Sequence, residues 1–554
     1  MQQPLPSLNN QLTLSFQDIA EDLKVSEATI KNWVKTGALK QINANDICAR
    51  SYKVFKDTVV GKEKLNKRAN KLQLDATNHQ KIYAEIQRRI NDVYQGAARI
   101  NGGDLSSDYE GQLGDAHKNA EGIFYTPSSI ASELLSCVDP ITEDTTFCDP
   151  CCGAGSFLMA ALEKGIKPEN IYGFDTDKTA VEIAKSRIFK ATSFKGNNIK
   201  VDDFLERMIQ SSPSKTYDLV FTNPPWGKKY APRLKQKYAD AFNNGTKIDS
   251  SAIFSMACLR VLNADGYLGL LLPDAFFNVA AYKSVRAQLL NNNILYLADH
   301  KKPFKGLQTR AQSIVLKLNN AQPPPVSVTC KFDDNIYKRS QSEFSNNPNC
   351  IYNFHTSSED AALIKHIFSH PHTTLKDKAQ WGLGIVTGNN KKYVGKDRTS
   401  DCIPVFKGSD IHKSGFNPPS HFIPKDFSKY QQVAPIALYE APEKIVYRFI
   451  SSNLVFSYDD QQRFVLNSAN FLVLDKGAGL SAQNLTFLLN TKLMNWLFGK
   501  IFRTHKILRS DIETLPIFTE YFDSDKQPTE QALYAYLGIK EINGQFKKLR
   551  LDNI

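Results

Sequence analysis

Between residues 119 and 320 the chain alternates short apolar runs with stretches of helical period. TTFCD, NIYGFD, NIKVDD, YDLVFT, GYLGLLLP and AQSIVLKL are too short for buried helices and predict strands. SFLMAALEKG and KTAVEIAKSRIF place apolar residues three and four apart and predict helices between them. Strand and helix in regular succession predict a doubly wound, Rossmann-like α/β domain.

Outside that domain the pattern changes. Residues 1–60 read as a small helical head, in which Ile19, Ala20, Leu23, Val25, Ile30, Trp33 and Val34 fall at helical spacing. Ser26 is placed to cap the second helix and Gly37 to end it. This segment resembles a helix-turn-helix of the excisionase type; a packing module that touches no DNA is the alternative. Residues 61–118 predict a charged helical connector, whose Lys64, Lys67, Arg68 and Lys71 either face phosphates or are simply solvated. The Pro-rich NNAQPPPVSV opens a linker over 321–370. Residues 371–520 read as a mixed α/β domain rich in aromatics and lysines, and 521–554 as a tail.

Two motifs carry chemistry. CDPCCGAGSF spans 148–157, directly after a predicted strand and at the start of a helix. Gly153 and Gly155 let the backbone turn sharply and approach a ligand. A loop at the C-terminal end of a strand is where open α/β sheets bind ligands. It is neither GxGxxG nor a P-loop. Asp175 ends the next strand, where a carboxylate can accept both hydroxyls of a ribose, and Asp203 follows the third, within reach of an adenine amine. Cys148, Cys151 and Cys152 suggest zinc, but no second cluster of suitable spacing supports it, so no metal is expected.

The second motif, TNPPW at 222–226, ends the strand YDLVF. An aromatic amine is a poor nucleophile because its lone pair is delocalised into the ring. The Asn223 side-chain oxygen and the Pro224 carbonyl can each accept one of its hydrogens, which returns the lone pair to nitrogen. Pro224 and Pro225 stiffen the loop and remove competing donors. Trp226 offers a face on which a base can stack, and Phe304 is a candidate for the opposite wall; a base inside a duplex must swing out to reach them.

Composition narrows the partners. The 554 residues carry a net charge of +12, which suits a polyanion. No run of about 18 apolar residues exists, so no membrane span is expected. The N-terminal stretch lacks the form of a secretory signal. Nine irregularly placed cysteines do not make a disulfide framework, which points to a reducing cytoplasm.

Taken together, the motifs resemble the N6-adenine DNA methyltransferases of restriction-modification systems, in the order cofactor loop, catalytic loop, target-recognition domain. The similarity covers about 120–520. GIFYTP at 122–127 is similar to the family segment that lies against the cofactor. The resemblance implies S-adenosylmethionine as cofactor, held by Tyr125, Thr126, Asp149, Cys151, Gly153, Gly155, Asp175, Asp203, Phe204 and Phe254, with Cys151 where an alanine is usual. It implies catalysis by Asn223, Pro224, Pro225 and Trp226, and a target-recognition domain over 371–520. GLGIVTGNNKKYV, PVFKGSDIHK, EAPEKIVYRFI and LTFLLNTKLMNWLF resemble those of type II and IIG enzymes. Double-stranded DNA is the expected partner, contacted by Lys228, Lys229, Arg233, Lys391 and Lys392, with Lys407, Arg448, Arg503 and Lys506 as further candidates. No nuclease cluster is read in the chain, and a separately encoded cognate restriction endonuclease is a candidate partner whose existence the sequence leaves open. Three alternatives remain open: an enzyme for N4 of cytosine, one for an RNA base or a protein glutamine, and a DNA-binding regulator acting through the head.

Overall fold

The computed structural model describes residues 13–23, 27–35, 39–43, 46–58, 85–95, 105–112, 124–210, 215–228, 230–242, 249–304, 307–319, 327–523 and 527–549. Val25, Ser26, Gly37, Lys64, Lys67, Arg68, Lys71, Gly122, Ile123 and Lys229 lie outside the described residues. The chain divides into two compact units, one of Met1–Leu272 with His300–Leu318, the other of Pro273–Asp299 with Asn319–Ile554.

In the first unit the six expected strands all form. They are β1 (Phe147–Asp149), β2 (Ile171–Asp175), β3 (Ile199–Val201), β4 (Tyr217–Thr222), β5 (Leu262–Pro273) and β6 (Ala311–Lys317). Their order in the sheet is β6-β5-β4-β1-β2-β3. β1 is parallel to β2 and to β4, β2 to β3, and β4 to β5. The chain therefore winds outward from β1 to β3 and returns to the other side of β1 as β4. That reversal is the switch point at which open α/β sheets bind ligands. It brings the glycine loop after β1 and the TNPPW loop after β4 to adjacent strand ends.

The supporting layers follow from apolar spacing. Ser156–Glu163 buries Phe157, Leu158, Ala160 and Ala161, and Lys178–Thr192 buries Val181, Ile183, Ala184 and Ile188. Asp177 caps the second of these by accepting from the Thr179 and Ala180 amides. The connector region adds two helices to this unit: Ile86, Ile90, Leu105 and Tyr109 are buried with Ala154, Ala180 and Ile183 beside the glycine loop. The head has a core of its own, including Phe16, Ile19, Ile30, Trp33, Tyr52 and Phe55. Its first helix, Phe16–Asp22, starts with a capping box between Ser15 and Asp18. Beside its helices it carries a short antiparallel strand pair, Thr13–Ser15 with Asp46–Cys48.

The second unit corrects two expectations. The stretch expected to be a linker, 321–370, carries the hairpin Ser327–Phe332 and Asn335–Ser340 and the helix Ser358–Phe368. The supposed tail carries the helix Glu530–Tyr536 and a second hairpin, Ile539–Ile542 with Gln545–Lys548. Both regions are anchored by apolar side chains: Leu363, Ile364, Leu533, Leu537, Ile539 and Phe546 belong to one buried core with the helices Ala482–Asn490 and Lys492–Ile501. A four-stranded antiparallel sheet, in the order Ala379–Leu383, Ala469–Leu474, Lys444–Arg448, Phe456–Asp459, lies against that core. Arg286 is fully buried and donates to the carbonyls of Cys350, Phe276, Val279 and Asn349, so its charge is spread over four acceptors. Among the described residues no helix is long and apolar enough to cross a membrane.

Candidate active site

A cleft of about 890 Å³, its mouth included, opens at the switch point. That volume is in the range of small-molecule and cofactor sites. Tyr125, Thr126, Asp149, Cys151, Gly153, Asp175, Asp203, Phe204 and Phe254 line it, together with Asn223 and Pro225 of the catalytic motif.

The floor is a web of backbone donors on carboxylates. The Gly153 amide donates to Asp175 Oδ2 at 2.8 Å and the Asp177 amide to Asp175 Oδ1 at 2.9 Å. The Cys151 amide donates to Asp149 Oδ1 at 3.0 Å. A carboxylate has about four lone-pair sites, so each group keeps capacity for a ligand. Burial pushes the Asp149 carboxyl up to about 7, held down in part by Thr222 and the Cys151 amide. Burial also raises Asp175, to about 6, against its two backbone donors. Asp203 uses one oxygen to cap the helix Phe204–Gln210 through the Glu206 amide at 3.1 Å. Phe204 and Phe254 lie almost parallel, 6.3 Å apart at 16°, and form an apolar wall.

The two glycines do different work. Gly153 has φ +48° and the Tyr125 ring lies 3.1 Å from where a Cβ would stand, so any side chain there meets the cleft wall. Gly155, expected to hold the cofactor, does not line the cleft. Its φ of +88° and the Ala184 Cβ, 3.1 Å from a built Cβ, make it a helix-packing glycine.

The catalytic loop is pinned on both sides. The Asn223 Nδ2 donates to the Phe124 carbonyl at 2.6 Å, while Asn223 Oδ1 is buried with no hydrogen-bond partner. The Ser250 hydroxyl donates to the Pro225 carbonyl, and the Lys228 amide donates to Ser250 Oγ at 3.1 Å. Trp226 and Pro224 are buried and do not line the cleft. The Trp226 indole N–H donates to the Leu271 carbonyl at 3.3 Å. Phe304 meets Trp226 edge to face, 5.2 Å apart at 81°, and Phe124 lies 5.7 Å from Trp226 and 5.5 Å from Phe304.

The residues expected on DNA separate. Lys228 is half-buried and lines the cleft, where its charge favours the ionised Asp175. Arg233 is exposed on the first turn of Pro232–Ala241. Lys391 and Lys392 are exposed on the short helix Asn390–Tyr393. The cleft also uses Phe124 of the GIFYTP segment, and Phe157 and Tyr230, which motif reading did not single out. Tyr230 stands two residues beyond Lys228, and only the local run of cations drew attention there. Among the described residues no group of His, Cys, Asp and Glu is placed to hold a metal ion.

Comparison with known proteins shows the family. Residues 103–346 match the family model of the N-6 DNA methylases, and 403–517 match that of the TaqI-like C-terminal specificity domains. A type II methyltransferase of Vibrio sp. (strain 343), M.VspI, is 43% identical over 404 residues, which span 73% of this chain and 97% of that protein. The chain belongs to the N-6 DNA methylases of restriction-modification systems. The methylase carries a fused specificity domain, and S-adenosylmethionine is its methyl donor. Its fold is shared with the type IIL restriction-modification enzyme MmeI in complex with DNA, at TM-score 0.50 and 11% identity over 78% of this chain and 72% of that one. It is shared also with DrdV in complex with DNA, at TM-score 0.50 and 10% identity over 94% and 73%. The family match begins at 103, ahead of the boundary expected at 119, and includes the helix Leu105–Gln112. Tyr109 of that helix donates to Asp177 Oδ2 at 2.7 Å, behind the glycine loop.

Proposed function

We propose that the methylase transfers a methyl group to the exocyclic N6 amine of an adenine extruded from duplex DNA. One observation carries this reading: the Asn223 side chain is oriented by the Phe124 carbonyl so that its oxygen stands buried, unpaired and in the cleft wall. Leaving such an acceptor empty costs about 1–3 kcal/mol, and a substrate N–H removes that cost. The adenine amine brings two N–H groups, and the Pro224 carbonyl is the second acceptor. Together they draw the amine toward tetrahedral geometry and restore its lone pair.

S-adenosylmethionine supplies an electrophilic methyl on a sulfonium. Its ribose fits the free lone pairs of Asp175, its adenine the Phe204–Phe254 wall with Asp203 beside it, and its methionine end the Tyr125–Thr126 side of the glycine loop. The unpaired carboxylate capacity and the parallel aromatic wall both suit that molecule. Trp226 and Phe304 hold the extruded base between their rings. Two rings sandwiching a base stand about 7 Å apart. At 5.2 Å and edge to face, the pair leaves no room for a base, so its entry turns the rings and moves them about 2 Å apart.

Recognition of the site belongs to the exposed cations and polar groups of the specificity domain, Lys391 and Lys392 among them. The methylase works in the cytoplasm on host DNA, with a separately encoded endonuclease as its candidate partner. The test is expression in a host without adenine methylation, followed by single-molecule sequencing of its genome. N6-methyladenine at one recurring site is expected. Methyl groups only on cytosine, or none at all, would overturn the reading.

A further inference from the structure

The specificity domain displays a feature the cleft does not use. Ile450 is 62% exposed, although it stands next to the half-buried Phe449 in a folded loop. The loop is held firmly. The Phe449 amide donates to Ser468 O at 3.0 Å, the Ile507 amide to Phe449 O at 2.9 Å, and the Ser451 amide to His505 O at 2.9 Å. Ile450 and Lys506 face each other across an antiparallel bridge. Farther along, the Leu454 amide donates to Asn495 Oδ1 at 2.7 Å. Leu454 and Ile507, fully buried, anchor the two loops from below.

The second loop is a short cationic segment. Arg503, His505 and Lys506 are exposed. Thr504 Oγ1 accepts from the Lys506 amide at 3.1 Å, which fixes the backbone between them. The Arg503 guanidinium lies 4.1 Å over the Phe332 ring. Neither 448–453 nor 503–506 contains an acidic residue. The two segments set an apolar tip on a stiff loop beside cations, with no acidic residue of their own. This combination suits a polyanion with an apolar interior, which describes duplex DNA.

We infer that the paired loops 448–453 and 503–506 are a DNA contact in which Ile450 packs into a groove against the bases while Lys506 and His505 lie along the phosphates. The inference rests on duplex DNA being the substrate, and it assigns to Ile450 a positioning role in binding. An isoleucine that leaves water on binding gains about tenfold in affinity or more. A single lysine on a phosphate contributes about one unit to the slope of log affinity against log salt.

The test uses the full chain and a short duplex carrying the site found by genome mapping. Ile450→Ala is expected to weaken duplex binding, read by fluorescence anisotropy, about tenfold. It should raise KM for DNA at unchanged kcat, with cofactor affinity and melting temperature unchanged. Lys506→Ala should lower the salt slope by about one. Unchanged affinity and salt slope in both variants overturn the assignment. So does a wild-type protein that dimerises through this face, if Ile450→Asp yields a monomer binding the duplex as tightly as before. A wild-type protein that methylates only cytosine at its mapped site, while Ile450→Ala still loses affinity for that duplex, would sink the N6 reading and keep this one.

Discussion

Asp149 and Asp175 in the catalytic unit and Asp459 in the specificity domain are carboxylates drawn away from solvent, yet their partners differ. Asp459 is fully buried and saturated: Lys444 Nζ and Arg463 Nη1 each lie at 2.7 Å, and the Gln461 and Arg463 amides donate to it as well. Lys444 is itself fully buried and also donates to the Tyr439 carbonyl at 2.7 Å. Asp149 and Asp175 receive backbone N–H groups, and their capacity is not filled. A saturated buried charge holds a scaffold in one arrangement. A buried acceptor with capacity to spare is a place where a ligand finishes the structure. Asn223 Oδ1 belongs to the second class, and its emptiness marks the chemistry more clearly than conspicuous charge does.

The largest effect should come from removing that empty acceptor. Asn223→Ala is expected to lower kcat by about 10³-fold, in line with the loss of one preorganised transition-state hydrogen bond. Cofactor affinity by calorimetry should stay nearly constant, since in the proposed reaction Asn223 serves the target amine and not the cofactor. A variant that turns over normally, or that loses the cofactor, contradicts this division of labour. Next comes the saturated cluster. Lys444→Met leaves Asp459 without one of its two cations and should destabilise the specificity domain by about 3–5 kcal/mol. Denaturant unfolding measures this. Cofactor affinity should survive in any fraction that remains folded, because Lys444 belongs to the second unit.

The same contrast explains what the sequence could disclose. The six strands and both loops were legible because their signals are local: period, length and glycine or proline at fixed offsets. Gly155 was read as a ligand contact because its neighbour in space, Ala184, lies 29 positions away and leaves no mark nearby. The run of cations drew attention to Lys228, but its place in the cleft wall depends on the turn at Gly227, φ +68°, and the Ser250 hydroxyl, which the run does not disclose. The hairpin at 327–340 was hidden by the prolines before it and by a turn at Asp333 and Asp334, both at positive φ, where sequence gives only a weak signal. The buried ion pair at Lys444 and Asp459 is invisible from sequence for the same reason as Arg286: its partners meet only through the fold.

A smaller change sharpens the comparison within the cleft. Asp175→Asn replaces one acceptor oxygen with an NH₂ that must face the amide of either Gly153 or Asp177, donor against donor. That misfit weakens the loop itself, and the ribose hydroxyls lose a charged acceptor worth about 1–3 kcal/mol, so cofactor affinity should fall about ten- to a hundredfold. Binding of the duplex should change little. An unchanged cofactor dissociation constant would remove Asp175 from the ribose.

The smallest effect is set by pH. In the free folded protein burial holds the proton on Asp175 up to about 6 and on Asp149 up to about 7, above the range of an exposed carboxyl. Their folded pKa values exceed the unfolded ones, so the stability they contribute is complete below about pH 4 and is lost as pH rises through 6 and 7. A ligand that donates to the carboxylate reverses the preference, because it binds the charged form. Cofactor binding should therefore release protons near pH 6 and tighten by up to about tenfold between pH 5 and 7. Calorimetry in two buffers of different ionisation enthalpy counts those protons directly. The melting temperature of the free protein should fall over the same interval while that of the cofactor-bound protein falls less. Binding that takes up protons would mean that Asp175 meets the cofactor in its neutral form, and the cleft carboxylates would then belong with the scaffold.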